Sequence, residues 1–163
     1  MLSFFMPTLS HLSELTVKIL AQKRVEPLRR LLQSLQKASY PPSVNINIEI
    51  YVDQIPALPL RPRASKEDTK RRHSVLDLVD RFVQTWRQGN AVVVRLTNWQ
   101  GLRGMWLTCA DPGIFGEEFT RFVILEDDVE LSPAWYVATS LDMLRAVWCV
   151  GLSSSQQRRV RTP

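Results

Sequence analysis

Four apolar runs punctuate the chain: Thr16 to Ala21, Ile46 to Val52, Ala91 to Leu96 and Phe122 to Leu125. Each is rich in branched aliphatic residues and is bounded by polar or turn residues, which is the pattern of buried strands. Ile46 to Val52 alternates in part with Asn47 and Glu49, so one of its ends or faces is expected to be wet. The intervening segments change to a helical period. After Pro27, residues Leu28, Leu31, Leu32 and Leu35 recur on one face opposite Arg29, Arg30, Gln33 and Lys37, and Ser39-Tyr40-Pro41-Pro42 stops that helix. A second helix is predicted to start near His73 or Ser74, to carry Val75, Leu76, Val79, Phe82, Val83 and Trp86 on one side, and to close at Gly89-Asn90. A shorter third covers Gly101 to Cys109. A last one is capped by Ser132, has Pro133 in its first turn and runs to about Val150.

Strand and helix alternate, which predicts the α/β class: a mostly parallel sheet with right-handed crossovers and helices on both faces. With 163 residues the chain fits one domain. The expected map is an N-terminal extension over 1–15, the domain over 16–150 and a disordered tail over 151–163. Within the domain, Gln54 to Arg72 carries Pro56, Pro59 and Pro62 followed by a basic run, so 54–73 is expected to be a flexible basic loop.

Composition narrows the function classes. The formal net charge of +5 invites a partner with phosphates. It is concentrated at Arg61, Arg63, Lys66, Lys70, Arg71 and Arg72 and in the tail at Arg158, Arg159 and Arg161. Neither run has interleaved aromatics or a nucleic-acid reading motif, so both read as solvated segments and no nucleic-acid partner is expected. Cys109 and Cys149 are far apart, and His11 and His73 do not join them in any zinc-ligand spacing, so both cysteines read as small core residues. No uninterrupted apolar stretch has the length of a membrane span, and Met1 to Leu15 lacks the basic start of a signal peptide.

The chemistry is concentrated after the fourth strand. Phe122-Val123-Ile124-Leu125 runs directly into Glu126-Asp127-Asp128, so a buried strand delivers three carboxylates to its C-terminal end, where open α/β sheets bind ligands. Like charges at this spacing raise one another's pKa unless a cation neutralises them. Oxygen donors of this kind suit magnesium or manganese bridging to substrate phosphates. Two other readings exist. The acids are either exposed residues at a strand end or the Walker-B-like strand of an ATPase, and the second is excluded because the chain has no GxxxxGK[ST] loop.

Leu125-Glu126-Asp127-Asp128-Val129-Glu130, followed by Ser132-Pro133 and Trp135-Tyr136, resembles the acidic signature of GT-A glycosyltransferases. It is most similar to family 2-like enzymes and the N-acetylglucosaminyltransferase I group. The order of other features agrees: Gln22-Lys23-Arg24 after the first strand, Asp53 after the second, and Asn98-Trp99-Gln100-Gly101 after the third. The resemblance spans roughly Val17 to Arg145 and implies a GT-A, nucleotide-diphospho-sugar transferase-like fold. It also implies a nucleotide-sugar donor, with a UDP-sugar foremost, a Mn2+ or Mg2+ cofactor, and a glycan, protein or lipid acceptor. It implies Asp128 as the direct metal ligand, Glu126 and Asp127 at the ribose, Asp53 accepting from the uracil, and Arg24 near the base or diphosphate. Simpler roles stay open beside these: Asp53 as a strand-end cap and Arg24 as an exposed residue before a helix. Trp99, Trp106, Trp135 and Tyr136 either stack on a sugar or belong to the core.

Inverting members of the family also use a carboxylate base beyond the acidic strand. Here 35 residues follow Asp128, and Asp142 is the only acid after Glu130, so no catalytic residue is assigned. The chain is expected to lack the C-terminal part of the fold and to transfer no sugar at a useful rate. A non-catalytic nucleotide-binding or interaction remnant is the alternative. The family is Golgi-associated, but no signal or anchor is visible in this sequence.

Overall fold

The computed structural model describes residues 14–56, 65–110 and 121–139. Residues 1–13 of the expected extension over 1–15, the tail, and the part of the last helix beyond residue 139 lie outside the described residues, while Glu14 and Leu15 belong to the first strand. Seven elements alternate: β1 (Glu14–Ala21), α1 (Val25–Lys37), β2 (Asn45–Val52), α2 (Lys66–Thr85), β3 (Ala91–Arg95), α3 (Gly101–Ala110) and β4 (Phe122–Glu126). The four strands form one parallel sheet in the order β3-β2-β1-β4.

That order follows from handedness. Two right-handed crossovers carry the chain from β1 to β2 to β3 in one direction and put α1 and α2 on the same face. The return to the far side of β1 reverses the winding and puts α3 on the other face. The packing agrees. Leu15, Val17, Ile19 and Ala21 of β1 and Ile46, Ile48, Ile50 and Val52 of β2 share a core with Leu28, Leu31, Leu32 and Leu35 of α1 and Val75, Val79 and Phe82 of α2. Across the sheet, Leu20 and Tyr51 pack with Met105 and Cys109 of α3. Strand alternation thus sorts each strand's residues between two cores.

Three sequence expectations change. The second helix begins at Lys66 rather than at His73 or Ser74, so the basic half of the supposed flexible loop over 54–73 is helical. Lys66 to Arg72 holds no large apolar residue, and periodicity is silent there. The signal is instead a serine N-cap: Ser65 Oγ accepts from the backbone N–H of Asp68 and donates to its carboxylate, and Arg71 pairs with Glu67 one turn on. The helix also ends at Thr85, with Trp86 extended as its C-cap, so Gly89 is not its terminator. Gly89 is needed because a Cβ there would stand 2.5 Å from the Ile46 carbonyl oxygen.

The third concerns the polar positions of β2, of which only the N-terminal end is wet: Asn45 is exposed and Asn47 half-buried, but Glu49 is 2% exposed. Lys18, its register partner on β1, lies 3.7 Å from Glu49 Oε2, and the Tyr51 hydroxyl donates to the same oxygen at 2.6 Å. Lys18 Nζ also donates to the Cys109 carbonyl at 2.7 Å, tying α3 to the sheet. Two charges are buried here because each has partners.

The last segment packs back onto the α1 side. The Leu131 N–H donates to Ser34 Oγ, and Ser39 N–H to the Pro133 carbonyl. Trp135 and Tyr136 are buried against Tyr40, whose hydroxyl accepts from Trp135 Nε1 and donates to the Leu35 carbonyl. Burial pushes the Tyr40 phenol up to about 12, with the Trp135 hydrogen bond opposing.

Cys109 is a free thiol, fully buried. Burial pushes it up to about 12, against the pull of Lys18 and with a further push from Glu49. The thiolate is the reactive form. In a Cys149→Ser chain at neutral pH, a disulfide reagent is therefore expected to find no thiol until denaturant is added. Immediate reaction in native buffer would contradict this packing.

Candidate functional site at the strand C-termini

Because the sheet is parallel, every strand delivers its following residues to one edge. The winding reverses between β1 and β4, and at such a switch point the two following loops diverge and leave a crevice. The loop after β1 is Gln22-Lys23-Arg24 and the residues closing β4 are Glu126-Asp127-Asp128. A cleft of about 230 Å³ lies there. Gln22, Lys23 and Arg24 form one wall, Glu126 and Asp127 another, Asp53 a third side, and Leu102 and Met105 of α3 an apolar flank. Pockets that enclose a small ligand run to ~300–1,000 Å³, so a ligand as long as a nucleotide sugar would extend beyond this cleft.

Four of the five residues singled out from sequence, Arg24, Asp53, Glu126 and Asp127, line the cleft. Asp128 stands beside it, about half exposed. Arg24 joins the acids together. Its Nη2 pairs with Asp127 Oδ1, and its Nη1 with Asp128 Oδ2 at 3.0 Å. Asp127 is 3% exposed. Burial pushes its carboxyl above the usual range, Arg24 pulls it back without cancelling that push, and Asp128 and Glu126 add to it. For Arg24, burial opposes the charge but the two aspartates outweigh it, so its pKa is raised. The pair therefore favours charge on the arginine, while for Asp127 loss of water dominates.

Glu126 turns toward α3 and accepts from Trp106 Nε1 at 3.1 Å. Sequence reasoning assigned Trp106 no such role, although a half-buried indole N–H needs an acceptor. Trp135 and Tyr136 belong to the core, and Trp99 is exposed beside Gly101.

Asp53 is fully buried and surrounded by donors. Its Oδ1 accepts from the backbone N–H groups of Gln54 at 2.8 Å and Gln100 at 2.9 Å. Its Oδ2 accepts from Gly101 N–H at 2.9 Å and Gln22 Nε2 at 3.4 Å. It thereby holds the start of α3, where Gly101 has φ +64, a conformation glycine adopts at no steric cost. A uracil imide N–H reaching Asp53 would have to share or displace one of these donors.

Among the described residues, no group of three histidine, cysteine or acidic side chains converges to cage a metal. The donor set nevertheless has the chemistry that magnesium or manganese takes, one or two carboxylates completed by phosphate oxygens and water. No helix among the described residues is long and apolar enough to cross a membrane.

Architecture and site together define a parallel α/β sheet with its cleft at the switch point, built from an arginine and carboxylates. Solved structures share this fold. Over 90% of the chain, S. aureus TarS residues 1–349 superpose with a TM-score of 0.53 at 12% identity. The same region of TarS in complex with UDP-GlcNAc matches 81% of the chain with a TM-score of 0.50 at 16% identity. The chain spans 40% and 31% of the lengths of those two structures. No family model and no curated protein sequence matches the chain.

Proposed function

We propose that this domain is the donor-binding part of a metal-dependent glycosyltransferase of the family 2-like kind, with the cleft between β1 and β4 taking the diphosphate of a UDP-sugar. The observation that carries this reading is the convergence of Arg24 and the Glu126-Asp127-Asp128 motif across the switch point of a fold shared with TarS, which has been solved with UDP-GlcNAc. The N-acetylglucosaminyltransferase I resemblance rests on the Glu-Asp-Asp form of the motif alone.

Arg24 offers a planar fork suited to phosphate oxygens. Trp106 holds Glu126 toward α3, and Asp53 fixes the β3–α3 loop that closes the far side. Asp128, with Asp127 behind it, would hold the magnesium or manganese, whose charge stabilises the leaving diphosphate. The acceptor, whether glycan, protein or lipid, would approach from outside the cleft, and the base that deprotonates it is not supplied by the donor-side residues. Binding of the nucleotide without transfer is therefore the activity proposed for residues 14–139.

Calorimetry tests this. Manganese is expected to raise the affinity for UDP, and Asp128→Ala to remove that gain. Equal UDP affinity with and without manganese would refute the metal-dependent reading and leave the acids as a solvated strand end.

A further inference from the structure

Arg24 and a divalent cation would draw on the same two carboxylates. One guanidinium spans consecutive carboxylates, Asp127 and Asp128, and so already supplies the positive charge that the acidic motif needs. Each carboxylate keeps one oxygen that the guanidinium does not hold, but a metal taking it would stand as a second cation beside Arg24, and the two would repel. The other two acids lining the cleft have partners of their own. Asp53 is filled by four donors, and Glu126 is engaged by the Trp106 indole. Lys23 does not release an acid either, since it pairs outward with Asp68 of α2 at 3.0 Å. A diphosphate would resolve the conflict, because its oxygens accept the arginine fork that the metal displaces.

We infer that Arg24 is the resident cation of the acidic motif and gives up Asp127 and Asp128 to a divalent metal only when a nucleoside diphosphate takes the guanidinium, so that metal entry depends on nucleotide. This rests on the nucleotide-sugar reading of the same cleft. Arg24 is suited to the exchange. It is half exposed, and it sits at the N-cap of α1, where it makes no side-chain capping bond that movement would break. Coupling of this kind is reciprocal: metal tightens nucleotide by the factor by which nucleotide tightens metal.

The test is direct titration of Mn2+ followed by electron paramagnetic resonance, which reads free metal and needs no turnover. The wild-type chain is expected to bind Mn2+ weakly alone and more tightly with UDP present. Arg24→Gln removes the competitor and is expected to bind Mn2+ alone about tenfold more tightly than wild type, the scale of one charged hydrogen-bonded contact. The same variant should lose most of the UDP-dependent gain. Arg24→Lys keeps a charge but loses the fork and should fall between the two, which separates competition from a general loss of structure. Unchanged or weaker Mn2+ binding in both variants without UDP would overturn the inference. Failure of wild type to bind UDP at all would instead sink the nucleotide reading, and with it the dependence of metal entry on nucleotide. The UDP-free comparison would then still decide whether Arg24 and metal compete.

Discussion

Glu49→Leu is expected to destabilise the protein by about 3–5 kcal/mol, the cost of leaving one member of a buried ion pair without its partner. Lys18 is 5% exposed, and its ammonium would keep the Cys109 carbonyl as acceptor but lose the carboxylate that neutralises it. The informative comparison is the double variant Lys18→Met/Glu49→Leu. Buried pairs replaced by apolar residues of similar volume are often neutral in stability, so the double variant should be much less destabilised than the single. The Tyr51 hydroxyl loses its Glu49 acceptor in both chains, so that term cancels between them. Equilibrium denaturation by urea measures both. A double variant as unstable as the single would mean that the pair is not the reason for the loss.

This pair also shows where the sequence stops informing. Lys18 stands in the apolar run Thr16 to Ala21, and Glu49 in the alternation Ile46 to Val52. Period-two patterning separates Asn47 and Glu49 from the branched aliphatic residues of β2, but it gives Lys18 no place, because the run from Thr16 to Ala21 reads as apolar throughout. It could not say that the two strands pair in register, because that register is set by contacts 31 residues apart in sequence. The α/β class was legible for the opposite reason: four apolar runs separated by helical periods admit few other arrangements. Apolar periodicity does not reveal the start of α2, because its first turns are polar, although Ser65 and Asp68 carry a capping signal. At the site, the placement of Arg24, Asp53, Glu126 and Asp127 around one cleft was legible from strand ends in a parallel sheet. Their partners were not. Nothing local to Asp53 announces the backbone N–H groups of Gln100 and Gly101, and nothing local to Glu126 announces Trp106.

Asp53→Ala is expected to cost about 2–3 kcal/mol, the scale of one strong charge-assisted hydrogen bond rather than the sum of several. Gln100 is exposed, and water can satisfy part of what the carboxylate did. The effect should be localised. Gly101 holds φ +64 at the first residue of α3 with its N–H on Asp53 Oδ2, so removal of the carboxylate should fray that end of the helix. Hydrogen exchange at Gln100 and Gly101 should accelerate well beyond the change seen in the α1 and α2 cores. Asp53→Asn should repair this only in part, since its amide nitrogen presents a donor where one pair of donors now points. If UDP affinity falls in Asp53→Ala while exchange at Gln100 and Gly101 stays slow, Asp53 contacts the base directly. A parallel change in both quantities identifies it as the residue that positions the β3–α3 loop.

The central claim is that the nucleotide binds at the strand C-termini, between the loop after β1 and the acidic end of β4. A UDP titration of the isotope-labelled chain, followed by two-dimensional amide NMR with Mg2+ as the diamagnetic cation, tests this most directly. The account predicts saturable shifts concentrated at Gln22, Lys23, Arg24, Leu102, Asp127 and Asp128. A second polar cleft at the opposite end of the sheet, lined by Glu14, Thr16, Asn47, Glu49 and Asn90, serves as the internal control and should stay still. Shifts centred on that second cleft, or none at saturating UDP, would contradict the account.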